Sequence, residues 1–269
     1  MKPPRSSGQG RSGRSRSGPR SDQEGLGATQ VEGRQAVREL LLAGRRRVHQ
    51  VLLAEAGPTR DQLSDIEDMA RAAGVAVRRV GRDRLAAMAR TDAPQGVIAT
   101  AAPVPDWDLD ELVSIGRPLL VVLDGVTDPH NLGAVMRSAL CAGATGLVVG
   151  QHRSAPLSPA AVKAAAGAVE HLPVASVAGV PSALVSLRRA GLWTVGLDRD
   201  GPVPLWDLQV ATEPVALVLG SEGRGLSPLV RARCEVLASI PLCGPLDSLN
   251  VSAAAALACF EVARHRRPN

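Results

Sequence analysis

The chain has 269 residues, 45% hydrophobic and 21% charged, which is enough to bury one large or two small domains. No apolar run reaches the roughly 18 residues of a membrane-spanning helix, and the basic N-terminus lacks the apolar core of a secretory signal, so the cytoplasm is the expected compartment. Of the net charge of +5, residues 1–24 hold +4 from six cations and two acids, leaving +1 for the rest.

Residues 1–27 are almost entirely Ser, Gly, Arg, Pro and Gln. They bury too little to offset the entropy of ordering and are expected to be a disordered basic tail, either solubilising or phosphate-seeking. The pattern then changes. Gly33–Ala43 reads as a helix with Val37, Leu40 and Leu41 on one face and Gly44 ending it. Val48–Leu53 reads as a strand, Pro58–Ala73 as a helix closed by Gly74, Val75–Val80 as a strand, Arg82–Ala89 as a helix and Gly96–Ala101 as a strand. This alternation predicts a small α/β domain over 28–102. Arg45, Arg46 and Arg47, between its first helix and first strand, are a candidate RNA contact as well as an ordinary solvated edge.

Ala102–Asp108 contains prolines that bar helix and interior strand, so 103–117 is expected to link this domain to a second one over 118–269. There, strands are predicted at Leu119–Leu123, Gly146–Val149, Leu172–Ala175, Trp193–Leu197, Val215–Leu219 and Ala238–Leu242. Helical patterns separate most of them, which predicts a parallel sheet with helices on its faces.

Polar groups gather after three of these strands. After the first comes Asp124-Gly-Val-Thr-Asp-Pro-His-Asn131-Leu-Gly-Ala-Val-Met-Arg137, with Asn131 expected as an N-cap. The helix that follows places Leu132, Val135, Met136, Ala139 and Leu140 on one stripe and Arg137 off it; read alone, Arg137 is a surface residue. After the fifth strand, Gly220-Ser-Glu222-Gly-Arg-Gly225 permits close backbone approach to a ligand, but its spacing is neither a dinucleotide fingerprint nor a P-loop. After the sixth, Ile240-Pro-Leu-Cys-Gly-Pro-Leu-Asp-Ser248-Leu249-Asn250-Val-Ser leads into an alanine-rich helix. Cys141, Cys234, Cys243 and Cys259 have no metal-ligand spacing, and no Ser-His-Asp order is present, so a metal-free binding and positioning site is expected. Trp107, Trp193, Trp206 and Phe260 are the only rings, too few for an aromatic base-stacking platform. Any RNA must be held by Arg, backbone and shape.

These three segments resemble the three signature motifs of the SpoU/TrmH family of RNA ribose 2′-O-methyltransferases, in the SPOUT class. Lys163-Ala-Ala-Ala-Gly167-Ala-Val-Glu-His171-Leu-Pro173 is similar to a stretch of the branch that methylates a guanosine of 23S ribosomal RNA, and 28–102 resembles that branch's substrate-binding domain. The resemblance implies a cytoplasmic homodimer whose SPOUT α/β domain holds a parallel sheet and a deep trefoil knot. It also implies S-adenosylmethionine as methyl donor, no metal, 23S ribosomal RNA as partner, and neither DNA nor membrane. Gly220, Ile240 and Leu249 would contact the cofactor through backbone, and Arg137, Asn131, Glu222, Ser248 and Asn250 would line the reaction centre. A guanidinium is a poor base, so Arg137 is expected to grip the adjacent phosphate and polarise the hydroxyl, with Ser248 and Asn250 orienting ribose or cofactor. Other open readings are a tRNA or different ribosomal RNA target, and a noncatalytic RNA-binding assembly factor.

Overall fold

The computed structural model describes residues 25–55 and 63–267. Residues 1–24 of the expected tail and the first turn of the helix expected from Pro58 lie outside the described residues. Gly25–Gly27, expected in that tail, are instead built into the body: the Leu26 N–H donates to the Val104 carbonyl at 2.9 Å and the Val104 N–H to the Gly27 carbonyl at 3.0 Å.

The first part of the chain forms a four-stranded sheet from β1 (Gln30–Glu32), β2 (Val48–Ala54), β3 (Ala76–Val80) and β4 (Val97–Ala101), in the order β1-β4-β2-β3. Three-residue β1 was not expected, because so short a strand shows no alternation; its antiparallel pairing with β4 defines it. Helices α1 (Arg34–Ala43) and α2 (Ser64–Ala72) cover one face, where Val37, Leu40, Ile66 and Ala70 meet Val51, Leu53, Val97 and Ala99. Gly44 ends α1 in the left-handed conformation (φ 59°), as expected. On the other face, Leu85 of α3 (Arg82–Met88) packs on Leu52, Ala54 and Ile98.

The rest of the chain builds a seven-stranded sheet. Its strands are β5 (Leu119–Asp124), β6 (Gly146–Gly150), β7 (Val174–Val177), β8 (Trp193–Leu197), β9 (Val203–Pro204), β10 (Val215–Gly220) and β11 (Val236–Ser239), in the order β7-β6-β5-β10-β8-β11-β9. All of its pairings are parallel, as the alternating pattern predicted. The central strands β5 and β10 are apolar on both faces because the sheet separates two layers. Leu119, Val121, Leu123, Val215, Leu217 and Leu219 face α5 (Pro129–Cys141) and α9 (Val251–Arg266). Leu120, Val122, Ala216 and Val218 face α4 (Leu109–Val113), α7 (Val180–Arg189) and α8 (Pro228–Arg233). The last strand is corrected from Ala238–Leu242 to Val236–Ser239. Ala238 and Ser239 pair with Val203 and Pro204 of the unforeseen β9; beyond them the chain leaves the sheet, and 241–250 are exposed.

The segment expected as a linker lies against the larger sheet. The Trp107 N–H donates to the Val174 carbonyl at 2.9 Å, Asp106 accepts from the Ser176 N–H at 2.8 Å, and α4 buries Leu112.

The expectation that the Arg45–Arg47 loop contacts RNA is corrected at Arg46. Its guanidinium is buried against Glu170 in the 3-10 turn Ala168–Glu170, with Nε–Oε2 at 2.9 Å and Nη2–Oε1 at 2.5 Å. Nη1 donates to the carbonyls of Ala28 and Ala102 at 3.0 and 2.8 Å. Arg45 donates to the His171 carbonyl at 3.0 Å, and His171 Nε2 lies 2.8 Å from Glu39 Oε2. The Lys163–Pro173 stretch is therefore the seat on which the smaller sheet's layer rests. Glycine is required there: a Cβ on Gly167 would lie 2.3 Å from Cγ of Glu39 in α1.

Candidate active site

In a parallel sheet all carboxyl ends lie along one edge, so the loops leaving β8, β10 and β11 can share a single opening. They line a cleft of about 900 Å3. Of the residues singled out in the sequence, Gly220, Ile240, Leu249, Glu222, Ser248 and Asn250 all line it.

The loop after β10 folds back on itself, with reciprocal bonds between Ser221 and Gly225 (N···O 3.1 and 2.9 Å) and left-handed backbone at Gly223 and Gly225 (φ 75° and 66°). Gly220 lines the cleft and also serves the loop itself. A Cβ there would sit 2.0 Å from the Gly225 carbonyl carbon, so its missing side chain makes room for the loop's own backbone rather than for a ligand. The far end of the loop is tied to β5, where Asp124 Oδ2 accepts the Ser227 N–H at 2.7 Å.

Three polar side chains from three strand ends meet at this loop. Asn131 Nδ2 donates to Glu222 Oε1 at 2.9 Å, and Asn250 Nδ2 donates to Glu222 Oε1 at 2.5 Å and to Asn131 Oδ1 at 2.9 Å. Asn250 also caps α9, its Oδ1 accepting the Ser252 N–H at 2.8 Å. Asn131 is not the N-cap that was expected. Asp128 takes that place, accepting the His130 N–H at 3.0 Å, and Pro129 opens α5, which leaves Asn131 in the first turn, 8% exposed and turned to Glu222.

Ser248 is exposed and has no hydrogen-bond partner among the described residues. Arg137 stands apart. It lies six residues beyond Asn131, about 9 Å along α5 at the standard helical rise, is exposed, and does not line the cleft. It shares its stripe with exposed His130 and Cys141; on α9, which packs on α5, Ala253, Leu257 and Phe260 are exposed.

Sequence reading missed the fourth contributor, Leu197–Asp200 after β8. Arg199 Nη1 reaches Asp247 Oδ2 at 2.6 Å, joining that loop to the 240–250 segment, and Asp198 holds Arg231 of α8 at 2.8 Å. The signal was present: Asp198-Arg199-Asp200-Gly201 is a polar turn directly after a recognised strand. Gly133 was also passed over. A Cβ there would lie 2.4 Å from the Ala161 carbonyl oxygen in α6 (Pro159–Ala164), so this glycine permits α5 and α6 to touch.

Two thiols are held protonated by burial. Burial, helped by nearby Asp124, pushes Cys234 up to about 12, and burial alone pushes Cys259 up to about 12. Neither supplies a thiolate nucleophile near neutral pH. Among the described residues, no three His, Cys, Asp or Glu side chains are grouped to hold a metal ion.

Residues 118–260 match the model of the SpoU rRNA Methylase family, and residues 30–107 match the model described as RNA 2′-O ribose methyltransferase substrate binding. The 23S rRNA (guanosine-2′-O-)-methyltransferase RlmB of Xylella fastidiosa is 42% identical over 220 residues, covering 80% of this chain and 88% of the relative. Two solved structures share the fold. The AdoMet-bound rRNA methyltransferase of Sinorhizobium meliloti has a TM-score of 0.74 at 27% identity, covering 89% of this chain and 88% of its own. The SpoU methyltransferase AviRb of Streptomyces viridochromogenes, in complex with AdoMet, has a TM-score of 0.74 at 28% identity, covering 88% and 90%.

Proposed function

The chain belongs to the SpoU rRNA methylase family, and we propose that it transfers a methyl group from S-adenosylmethionine to the ribose 2′-hydroxyl of a guanosine in 23S ribosomal RNA. One observation carries the reading: Asn131, Glu222 and Asn250, from loops far apart in sequence, are hydrogen-bonded together beside a cleft lined by the second and third signature segments.

The cleft suits the cofactor. About 900 Å3 is within the range of pockets that hold a small ligand, and Ile240 and Leu249 offer apolar contact while the exposed backbone of 241–250 offers donors and acceptors. S-adenosylmethionine supplies an electrophilic methyl group on a sulfonium. Gly220, Ile240 and Leu249 hold it through backbone atoms, so the residue types matter through loop shape.

The protein's own task is positioning, which can contribute several kcal/mol to a two-reactant step. Glu222 Oε1 is committed to two amide donors, which fixes the carboxylate; Oε2 receives no hydrogen bond from the described residues and remains an acceptor for the ribose hydroxyl. Ser248 orients the ribose by a neutral hydrogen bond. Arg137, which stands apart from the cleft of its own chain, grips the phosphate next to the target nucleotide and polarises the hydroxyl once a second copy brings its cleft close.

Three features of organisation belong to the same reading. Residues 118–269 are the methyltransferase domain, 103–117 connect it to the RNA-binding domain over 28–102, and the enzyme works in the cytoplasm. The segment after β11 threads a trefoil knot: β8 separates β10 from β11, yet α9 returns to pack on α5. The enzyme is a homodimer through the face on which Leu257 and Phe260 are 40% and 47% exposed beside the outer stripe of α5. A second copy of the chain covers these apolar side chains and brings its rim close to Arg137.

The test is to map ribose methylation across 23S ribosomal RNA from cells with and without the protein. Loss of 2′-O-methylation at one guanosine is expected. An unchanged methylation map, with the purified protein unable to methylate a 23S transcript, would refute the proposal.

A further inference from the structure

The clustering of positive charge points to a place where RNA is held that is distinct from the cleft and from the Arg45–Arg47 loop. Residues 76–90 carry Arg78, Arg79, Arg82, Arg84 and Arg90 against Asp83, a net of +4, while everything after residue 24 sums to only +1. This stretch is β3, the edge strand of the four-stranded sheet, and α3, which follows it directly. Arg79 turns to the α1–α2 face, where it is paired with Glu67 of α2. The side chains of Arg78, Arg82, Arg84 and Arg90 are exposed and have no partner among the described residues. Four uncompensated guanidinium groups so close together repel one another and gain nothing for the fold. They suit a polyanion.

Part of the sheet face beside them is open as well. Strand register places Glu32, Ile98, Leu52 and Arg78 in one row across the sheet, and Gln30, Thr100, Gln50 and Ala76 in the next. Helix α3 covers the Leu52, Ala54 and Ile98 end through Leu85, and in the second row it reaches Gln30, whose Nε2 donates to the Met88 carbonyl at 2.9 Å. Gln50 and Thr100 are half-buried, with no side-chain partner among the described residues. An amide and a hydroxyl in a row, flanked by Arg78, can both donate to and accept from a sugar–phosphate backbone. No Phe, Tyr or Trp lies in 25–102, so this surface has no large aromatic platform for bases.

We propose that the β3–α3 ridge and the open end of the row beside it grip the ribose–phosphate backbone of the RNA that flanks the target nucleotide. Arg78, Arg82 and Arg84 supply phosphate contacts, and Gln50 and Thr100 supply contacts to ribose. This rests on the reading of the chain as an RNA methyltransferase and on the match of residues 30–107 to a substrate-binding family. It transfers the role first expected of the Arg45–Arg47 loop to a surface whose cations are free.

The test uses the full chain with Arg78→Glu, Arg82→Glu and Arg84→Glu combined, measured with a 23S ribosomal RNA transcript. RNA affinity should fall on the order of 100-fold at about 0.1 M salt, and the slope of log affinity against log salt should flatten by about 2 to 3. S-adenosylmethionine affinity and the thermal midpoint should be unchanged, because the three side chains are exposed and unpartnered. A charge-matched control, Arg188→Glu, Arg189→Glu and Arg233→Glu, should change RNA affinity far less. If the wild type methylates RNA but the ridge variant binds it normally, or the control loses as much, the ridge is not the site although the activity stands. If the wild type neither binds nor methylates RNA, both readings fail. If the variant instead loses binding to anionic phospholipid vesicles at unaltered RNA affinity, the ridge faces a membrane and the proposal falls.

Discussion

Two polar clusters each join segments more than ninety residues apart, and they are built in opposite ways. At the seam between the two sheets, Arg46 and Glu170 are buried, and four of the five guanidinium N–H groups have protein acceptors. At the cleft, Glu222 and Asn250 are exposed, Glu222 Oε2 receives no donor, and Ser248 has no partner among the described residues. The seam has almost no hydrogen-bonding capacity left for a ligand, whereas the cleft retains some. Polar clusters that hold a fold together use up their valences; those that meet a substrate keep them.

The contrast breaks most sharply at Arg46. Arg46→Ala strands the Glu170 carboxylate in an apolar seam and should cost about 3–5 kcal/mol in urea unfolding, whereas replacing both partners with Met should restore most of it. If Arg46→Ala unfolds like the wild type, the seam is not a buried ion pair in solution.

The cleft should respond in the other direction. Glu222→Ala and Arg137→Ala should each leave stability within about 0.5 kcal/mol while lowering the methyl-transfer rate on the order of 100-fold, a loss of about 2.7 kcal/mol in transition-state stabilisation. Single-turnover rates and cofactor calorimetry read this directly, and Arg137→Lys should rescue poorly because an ammonium lacks the planar two-point fork. Wild-type rates in Arg137→Ala would return that residue to the solvated surface its exposure alone suggests. Gly220→Val is a poor probe of the ligand, because the new side chain collides with the backbone of Gly225 and Leu226 before any ligand enters.

The smallest effect sharpens the comparison at the α5–α9 face. With Cys234 and Cys259 pushed up to about 12, both stay protonated at pH 8 and should resist maleimide in the native protein. Exposed Cys243 should react quickly, and Cys141, on the outer stripe of α5, should react only when Phe260→Glu splits the proposed dimer. Mass spectrometry that finds Cys141 labelled as fast as Cys243 in the wild type would argue against that interface.

Most elements were legible because they rest on local patterns. Leu119–Leu123 and Val215–Leu219 are unbroken apolar runs and became the paired centre of the sheet. The short strands β1 and β9 were not legible, since two or three residues hold no period. At the site, the three loops could be read as polar segments after strands, and six of the eight chosen residues line one cleft. Asn131 was assigned to the wrong task because an Asn before an apolar stripe looks like a cap, and only the fold shows Asp128 already there.

What the sequence by itself determined is most of the strands and helices, the parallel class of the larger sheet and the three polar loops at its strand ends. Each follows from residue types within a window of a dozen positions. The tertiary structure alone decided which polar groups are spent. Arg46 and Arg47 are identical neighbours in the sequence, but one is buried against Glu170 and the other is exposed. Gly220 serves its own loop because Gly225 folds over it, and Arg78 is free because Glu67 lies on the other face of the sheet, where it holds Arg79. Burial and pairing depend on groups brought close by folding, and no local pattern encodes that distance.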